Sequence, residues 1–172
     1  MALANEALKN IIYEAMVRYY FRSTAFSFKA TQDKKMLGFL LAAPLAARDK
    51  SQAWLQQALM PFANEEQDLV YNYLHYLSYN GQRVRELAQK NDLLLCLFLS
   101  RKAGVGSELL QQVETVAQKQ GVNNIYLWAD ATCDYAYYHR RGYSEAGYWQ
   151  NKILPALGEQ ETWIYRKKIN KG

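Results

Sequence analysis

The chain contains little cysteine, proline or histidine, and it has no long apolar run. Cys96 and Cys133 offer neither a disulfide framework nor a metal-site spacing, and both lie in or beside apolar segments, which favours buried thiols. His75 and His139 are too far apart in the sequence to form a paired metal motif, so no metal is expected. No stretch reaches the roughly 20 apolar residues of a membrane helix, and no signal peptide opens the chain. These absences predict a cytoplasmic protein that does not bind a membrane.

The length and net charge of the chain narrow the range of protein classes further. The 172 residues fit one domain (1–172), and half of them are hydrophobic, which predicts a globular core. The net charge of +5 suits an anionic ligand or nucleic acid. No long basic run with interleaved glycine or aromatic residues appears, so nucleic-acid binding is not expected.

A strand, a glycine turn and a helix follow one another in the middle of the chain. The apolar run Leu93–Leu99 ends at Ser100, and Arg101 and Lys102 precede a turn with two glycines, at 104 and 106. Glycine lets the backbone approach a ligand, and free amides at a helix N-terminus attract anions. The segment therefore predicts a phosphate-binding turn, with an ordinary helix start as the alternative. The helix is indicated by an apolar face of Val105, Leu109, Leu110, Val113, Val116 and Ala117.

Two common phosphate motifs do not match this turn. A P-loop requires Gly-Lys-Ser/Thr, but Gly106 is followed by Ser107 and Glu108. A dinucleotide fingerprint requires a small residue three positions after Gly106, where Leu109 stands. The remaining pattern, Arg101-x-x-Gly-x-Gly106, resembles the coenzyme A pyrophosphate loop of the GNAT superfamily of N-acetyltransferases.

A second stretch strengthens this resemblance. After a strand-like segment from Asn124 to Cys133, Tyr137-Tyr138, Arg140 and Gly142-Tyr143 resemble the end of the GNAT signature Asn-x-x-Ala-x-x-Phe-Tyr-x-Lys-x-Gly-Phe. The front of the signature departs, because the same register places Ala131 at the asparagine and Asp134 at the alanine. Two motifs in family order are more specific than either alone.

The resemblance implies an α/β (α+β) fold of the GNAT type. Its mixed, mostly antiparallel sheet is flanked by helices and splays between Leu93–Leu99 and Asn124–Asp130. A first strand, which the family usually has, is missing or lies in the first few residues.

Residues 44–92 would form a helical insertion before the cofactor-binding strand. The other predicted elements are a helix (5–22), a hairpin (25–30 and 36–43), helices at 51–60 and 65–90 with the second weakened at Asn80-Gly81, and strands at 147–150 and 162–168 joined by a link over 151–161.

The resemblance also implies the activity, which is transfer of an acetyl group from acetyl-CoA to a primary amine within a ternary complex. Tyr138 stands where many members carry a tyrosine near the thioester sulfur, so its expected role is the general acid, with packing as the alternative. Asp134 is expected either to bond the pantetheine arm or to cap a helix. The residues implied to contact acetyl-CoA are Phe98, Leu99, Ser100, Arg101, Lys102, Ala103, Gly104, Val105, Gly106, Ser107, Asp134 and Tyr138.

The sequence assigns no general base, and Asp130, Glu145 and His75 are only candidates. The aromatic stripe in the insertion (Tyr71, Tyr73, Tyr76 and Tyr79, with His75) predicts packing, with an amine-substrate pocket as the alternative. Many GNAT members form dimers, so a homodimer is compatible with the sequence. The alternative function is a non-catalytic, GNAT-like sensor or interaction module that binds acyl-CoA.

Overall fold

A six-stranded mixed sheet with the strand order β1-β2-β3-β4-β6-β5 forms the centre of the computed structural model. The structure describes residues 6–153 and 158–169. In chain order the elements are α1 (Glu6–Tyr20), β1 (Ser27–Gln32), β2 (Lys35–Pro44), α2 (Gln52–Leu59), α3 (Asn64–Leu87), β3 (Leu93–Ser100), α4 (Val105–Lys119), β4 (Asn124–Asp130), α5 (Tyr135–Arg140), β5 (Ser144–Asn151) and β6 (Gln160–Lys168).

The predicted splay of the sheet is confirmed at β3 and β4. These two parallel strands pair only at Leu93–Ile125 and Leu94–Tyr126. Beyond Leu94, β3 continues along β2 as far as Ser100, whereas β4 continues along β6. The two strands therefore separate toward their carboxyl ends, and a gap opens in the middle of the sheet.

Alternation along β4 shows how the two faces of the sheet are covered. Ile125 and Leu127 pack toward α4 in one core cluster, whereas Tyr126 and Trp128 pack toward α3 on the opposite face. Successive side chains of a strand point to opposite faces of the sheet. A strand that is buried on both faces therefore has a continuous run of apolar residues in its sequence. Each fully buried aliphatic side chain contributes about 1.5–3 kcal/mol to this core.

The hairpin is tighter than the sequence predicted. β1 and β2 extend to Gln32 and Lys35, so the turn consists of Asp33 and Lys34 alone, and both have positive φ angles (49° and 63°). Two such residues form the two-residue turn whose twist matches that of the adjoining strands. This hairpin sets the register of β2, which in turn aligns β3.

The predicted weak point of α3 is wrong, because the helix runs unbroken through Asn80 and Gly81. Both residues are buried, and Asn80 Oδ1 accepts a hydrogen bond of 2.8 Å from Asn151 Nδ2. Packing against β5 therefore outweighs the low helix propensity of the pair.

The last two strands are also longer than predicted, since β5 ends at Asn151 and β6 begins at Gln160. The link between them is correspondingly shorter than residues 151–161, and residues 154–157 of it lie outside the described part. The expected first strand also falls on residues outside that part, at 1–5. From residue 6 onward, the first element is α1.

Candidate functional site

A cavity of about 520 Å³ lies at the point where β3 and β4 separate, between the glycine turn and α5. It brings together two segments of the chain that the sequence predicted to share a ligand. Leu99 and Val105 do not line it, because the Leu99 side chain lies on the opposite face of β3 from Phe98 and Ser100 and Val105 is buried in the core. Its lining residues are Phe98, Ser100, Arg101, Lys102, Ala103, Gly104, Gly106, Ser107, Cys133, Asp134, Tyr137 and Tyr138.

The register of β3 determines which of its amides face the gap. Arg101 N donates to Leu37 O at 2.8 Å, and Leu99 lies opposite Phe39 in the same antiparallel ladder. Hydrogen-bonded pairs alternate with non-bonded pairs in such a ladder. The Leu99 N–H is therefore directed at β2, whereas the N–H groups of Phe98 and Ser100 point into the splay. Two backbone donors of β3 are therefore directed at the gap, whereas Leu99, the third strand residue that the resemblance implied as an acetyl-CoA contact, has its N–H in the ladder.

The glycine turn closes the cavity at one end. Gly104 has a φ of 86° and precedes the first residue of α4. The Val105 N–H donates to Lys102 O at 3.3 Å and the Glu108 N–H to Gly104 O at 3.2 Å, which leaves the N–H groups of Gly106 and Ser107 as the free amides of the first turn. Lys102 Nζ donates to Gln32 Oε1 at 3.0 Å. Arg141, at the end of α5, donates to Ser107 Oγ and so adds a third cation beside Arg101 and Lys102. This end of the cavity is suited to an anion.

Gly106 allows the helix start to pack directly against aromatic rings. A Cβ at this position would lie 3.1 Å from Phe98 Cζ and 3.2 Å from the Tyr137 hydroxyl. That hydroxyl is buried and has no hydrogen-bond partner among residues 6–153 and 158–169. An orphaned donor beside a glycine at a cavity wall is consistent with a polar ligand that completes the bonding. Tyr137 matches the signature in the sequence, but the match alone assigned it no role.

Tyr138 also lines the cavity and belongs to a cluster of aromatic rings. Its ring stacks on Tyr165 with centroids 6.1 Å apart and meets Tyr137 and Tyr143 edge-on at 5.7 and 5.8 Å. Burial, together with the nearby Cys133 thiol, raises the pKa of Tyr138 above its ordinary value. The phenol therefore keeps its proton at neutral pH and is a hydrogen-bond donor there.

Asp134 acts as the N-cap of α5, since its Oδ1 accepts from Tyr137 N at 3.2 Å. The capping alternative is thus the one observed, although the residue also lines the cavity. The expectation of two buried thiols is wrong for Cys133, which is exposed and faces the cavity just beyond the end of β4. The spacing in the sequence could not show this, because β4 ends three residues before the cysteine.

Of the three candidates for a base, only Asp130 lies near the splay. It ends β4, is buried, and accepts from Tyr76 Oη at 2.6 Å and from Thr132 N at 3.0 Å. Glu145 is exposed on β5, and His75 is on α3, lining a different cavity. The bonds of Asp130 indicate that its carboxylate holds α3 against the strand end.

The aromatic stripe of α3 divides between two environments. Tyr73 stacks on Tyr76, and Tyr76 meets Trp128 edge-on at 5.6 Å, so this part of the stripe packs against the sheet. Tyr71 and His75 are exposed and line the second cavity. The tyrosines on the side of α3 that faces β4 therefore pack against the sheet, as the sequence predicted.

In the part of the chain that the structure describes, no group of three or more histidine, cysteine, aspartate or glutamate side chains is placed to hold a metal ion. No helix in residues 6–153 or 158–169 is both long and apolar enough to cross a membrane.

Comparison with known proteins gives similarity in structure but not in sequence. No family model and no curated protein matches the sequence. The chain superimposes on the ribosomal-protein-S18-alanine N-acetyltransferase of Escherichia coli with a TM-score of 0.52, at 16% identity, over 100% of this chain and 94% of that one. A GNAT-family acetyltransferase from Desulfovibrio desulfuricans gives 0.52 at 14% identity, over 99% and 96% of the two chains.

A third similar structure was solved with acetyl coenzyme A bound. It is assigned as a streptothricin acetyltransferase of Bacillus anthracis, and it matches with a TM-score of 0.51 at 11% identity, over 84% of this chain and 62% of that chain. With the strand order, the splay and the position of the glycine turn, these likenesses show that the chain has the fold of the GNAT N-acetyltransferases.

Proposed function

We propose that this protein is an N-acetyltransferase that transfers the acetyl group of acetyl-CoA to a primary amine within a ternary complex. The observation that carries the proposal is the splay of β3 and β4, because one cavity there joins a cationic glycine turn to a protonated tyrosine. The presence of a ribosomal-protein-S18-alanine and an agmatine N-acetyltransferase among structures of similar fold supports an amine acceptor.

The glycine turn is proposed to bind the pyrophosphate. The free amides at the start of α4 and the side chains of Arg101, Lys102 and Arg141 provide donors and positive charge on one side of the cavity. A diphosphate bound there exchanges water for several charge-assisted hydrogen bonds, each worth about 1.5–3 kcal/mol. Gly106 keeps the backbone of the helix start close to the ligand, where a larger residue would meet Phe98 and Tyr137.

The reacting end is proposed to lie in the splay. The N–H groups of Phe98 and Ser100 point into the gap, where they can polarise the thioester carbonyl by donating to its oxygen. Tyr138 holds its proton at neutral pH and lines the same cavity, so it is placed to protonate the departing thiolate. A neutral amine can attack the carbonyl directly, and the role of base is left to solvent or to the acceptor site.

We also propose that residues 1–172 form a single GNAT-like domain in which 44–92 are a helical insertion. Contacts between α3 and the sheet support this proposal: Tyr76 packs on Trp128, and Val84 packs among Leu94, Tyr126, Trp149 and Ile164. The insertion therefore shares its core with the strands that form the splay.

Calorimetric titration of acetyl-CoA tests the proposal. Lys102→Gln should weaken binding about tenfold, because it removes one cation from the phosphate end. Lys119→Gln is the matched control, with the same change of charge at the opposite end of α4, and it should bind like the wild type. Variants of Gly106 are less suitable, since an added Cβ also disturbs Phe98 and Tyr137.

The outcomes separate the possible functions. Micromolar binding that weakens about tenfold in Lys102→Gln, followed by turnover on at least one member of a primary-amine panel, supports the enzyme. The same binding without turnover on any amine supports the acyl-CoA sensor. A folded wild type that does not bind acetyl-CoA contradicts both.

A further inference from the structure

A second cavity, of about 680 Å³, lies between α1, α2, α3 and the segment that follows β2. It is larger than the cavity at the splay and shares no lining residue with it. The segment after Pro44 lies at the Leu93 end of β3, whereas the glycine turn follows the Ser100 end. Those two ends are about 23 Å apart at the usual rise of a strand. The second cavity is therefore a separate site.

Three arginines line this cavity, at positions 22, 48 and 85. Arg22 is held firmly, because its Nε donates to Tyr19 O at 2.7 Å and its guanidinium lies 4.5 Å from the centre of the Tyr19 ring. Arg22 and Arg85 are half-buried, whereas Arg48 is exposed at the rim. At least one guanidinium is thus fixed in position before any ligand arrives, which lowers the entropic cost of binding.

Among the described residues that line the cavity, the three arginines outnumber the acidic side chains. Asp49 is the one acidic residue of the described part that lines the cavity, and its Oδ1 already accepts from Ser51 N at 2.8 Å. The six ion pairs found among residues 6–153 and 158–169 all use other cations. Half-buried guanidinium groups that lack an ion-pair partner are costly, and an anionic ligand would offset that cost.

The rest of the lining is partly apolar. Leu55 is buried, and the side chains of Leu45, Leu74 and Tyr71 also contribute to the wall. A volume of this size is within the range of small-molecule sites, which combine apolar walls with a few fixed polar groups. A ligand that fits both parts carries an oxyanion at one end and an apolar body at the other.

Arg22 and Arg85 come from different parts of the chain, since Arg22 follows α1 and Arg85 lies on α3, yet both line this cavity. Burial raises the pKa of the Cys96 thiol on β3 to about 12, and the positive charges of both arginines act in the opposite direction. This agrees with the place of both guanidinium groups on one cavity wall. Guanidinium groups that line one cavity can bind one carboxylate or phosphate by charge-assisted hydrogen bonds.

We propose that this cavity is a second ligand site, distinct from the one at the splay, which binds a small organic anion with a carboxylate or phosphate group on an apolar body. Arg22 and Arg85 bind the oxyanion, Arg48 adds charge at the rim, and the leucines and Tyr71 contact the apolar part. The proposal does not depend on acetyltransferase activity.

Calorimetry on the full chain tests the site with phenylacetate and phenyl phosphate as probes and benzyl alcohol as the neutral control. We expect saturable binding of at least one anion, no binding of the alcohol, and about tenfold or greater weakening in Arg22→Gln/Arg85→Gln. Arg83→Gln is the matched control on the same helix, because Arg83 pairs with Glu86 at 3.2 Å and does not line the cavity. Saturating coenzyme A should leave the affinity for the anion unchanged.

Arg48→Gln provides a second variant if the double variant does not fold, since Arg48 is exposed at the rim. It should weaken binding by a smaller factor than the double variant. Failure of both anions to bind, equal affinity in the arginine variants and the wild type, or competition by coenzyme A would each overturn the proposal. Equal affinity for inorganic phosphate and phenyl phosphate would show an adventitious ion only. Failure of the anions to bind leaves the acetyl-CoA titration unaffected, and failure of that titration leaves the anion titration unaffected, so the two proposals can fail independently.

Discussion

Gly38 is the residue at which the smallest substitution should disturb the splay most directly. It lies opposite Ser100 in the β2–β3 ladder. A Cβ added there would be 2.7 Å from Leu99 O and 3.2 Å from both Ser100 Cα and Val105 Cγ1. The two nearest atoms belong to the backbone and cannot rotate away. Gly38→Ala must therefore push β2 and β3 apart next to the amide of Ser100.

The loss in the free energy of unfolding can be estimated from two opposing effects, the steric overlap of the new Cβ and the lower backbone entropy of alanine in the unfolded chain. Overpacking a well-packed site costs about 1–3 kcal/mol, and backbone contacts are at the upper end. Replacing a strand glycine with alanine recovers about 0.5–1 kcal/mol. We expect a net loss of about 2 kcal/mol in the free energy of unfolding. For a chain of this length, that loss corresponds to a decrease in Tm of about 4–8 °C.

Urea and thermal unfolding followed by circular dichroism measure this loss, with Gly147→Ala as the matched control. At Gly147 the nearest atom to an added Cβ is Leu87 Cδ1 at 3.4 Å, an ordinary contact with a side chain, so this variant should be as stable as the wild type or slightly more so. Gly38→Ala should also bind acetyl-CoA more weakly, because it displaces Ser100. If the two variants had the same stability, the close packing inferred at the splay would be refuted.

Three further predictions concern the protonation of tyrosines and the accessibility of cysteines. Tyr138→Phe should bind acetyl-CoA with unchanged affinity but have a kcat lower by about 10²-fold or more. The control Tyr148→Phe, at an exposed tyrosine, should leave kcat unchanged, and equal kcat values in the two variants would show that Tyr138 is not the general acid. Iodoacetamide should alkylate Cys133 and spare Cys96, whose pKa burial raises to about 12, as peptide mass mapping would show. Partial desolvation at the cavity wall and the nearby Asp130 carboxylate raise the pKa of Cys133, so its alkylation should keep accelerating above pH 9. Acetyl-CoA should slow the alkylation, and a lack of protection would contradict a shared place in the cavity. Burial and the hydrogen bond to Asp130 raise the pKa of Tyr76, so the folded state keeps this proton after the unfolded chain has released it. Stability should therefore fall as pH rises above about 10, by up to about 1.4 kcal/mol per pH unit from this residue, and Tyr76→Phe should make the slope of urea midpoints shallower.

Local sequence was sufficient for the types of most elements and for their order. The strand before Ser100, the glycine turn and the amphipathic α4 could be predicted because apolar periodicity and glycine act over a few neighbouring residues. The same holds for Gly142, whose φ of 79° follows the end of α5. Resemblance to GNAT motifs then supplied the splay, which no local pattern contains.

Tertiary structure decided which predicted residues meet and which do not. Leu99 is directed away from the gap because the register with β2 assigns its amide to the ladder, and Val105 is turned into the core by the helix it begins. Cys133 and Tyr137 join the cavity because α5 folds back toward the glycine turn. The continuity of α3 depends on the burial of Asn80 and Gly81, and helix propensity, which is a local property, does not include burial.

The arginine-lined cavity is the part of the protein most dependent on the complete fold. Arg22, Arg48 and Arg85 are far apart in the sequence, and each resembles an ordinary surface charge there. They line one cavity only because α1, α3 and the segment after β2 pack together at one end of the sheet. Periodicity within a segment is set by backbone geometry and can be predicted, whereas contacts between distant segments are set by how their faces pack.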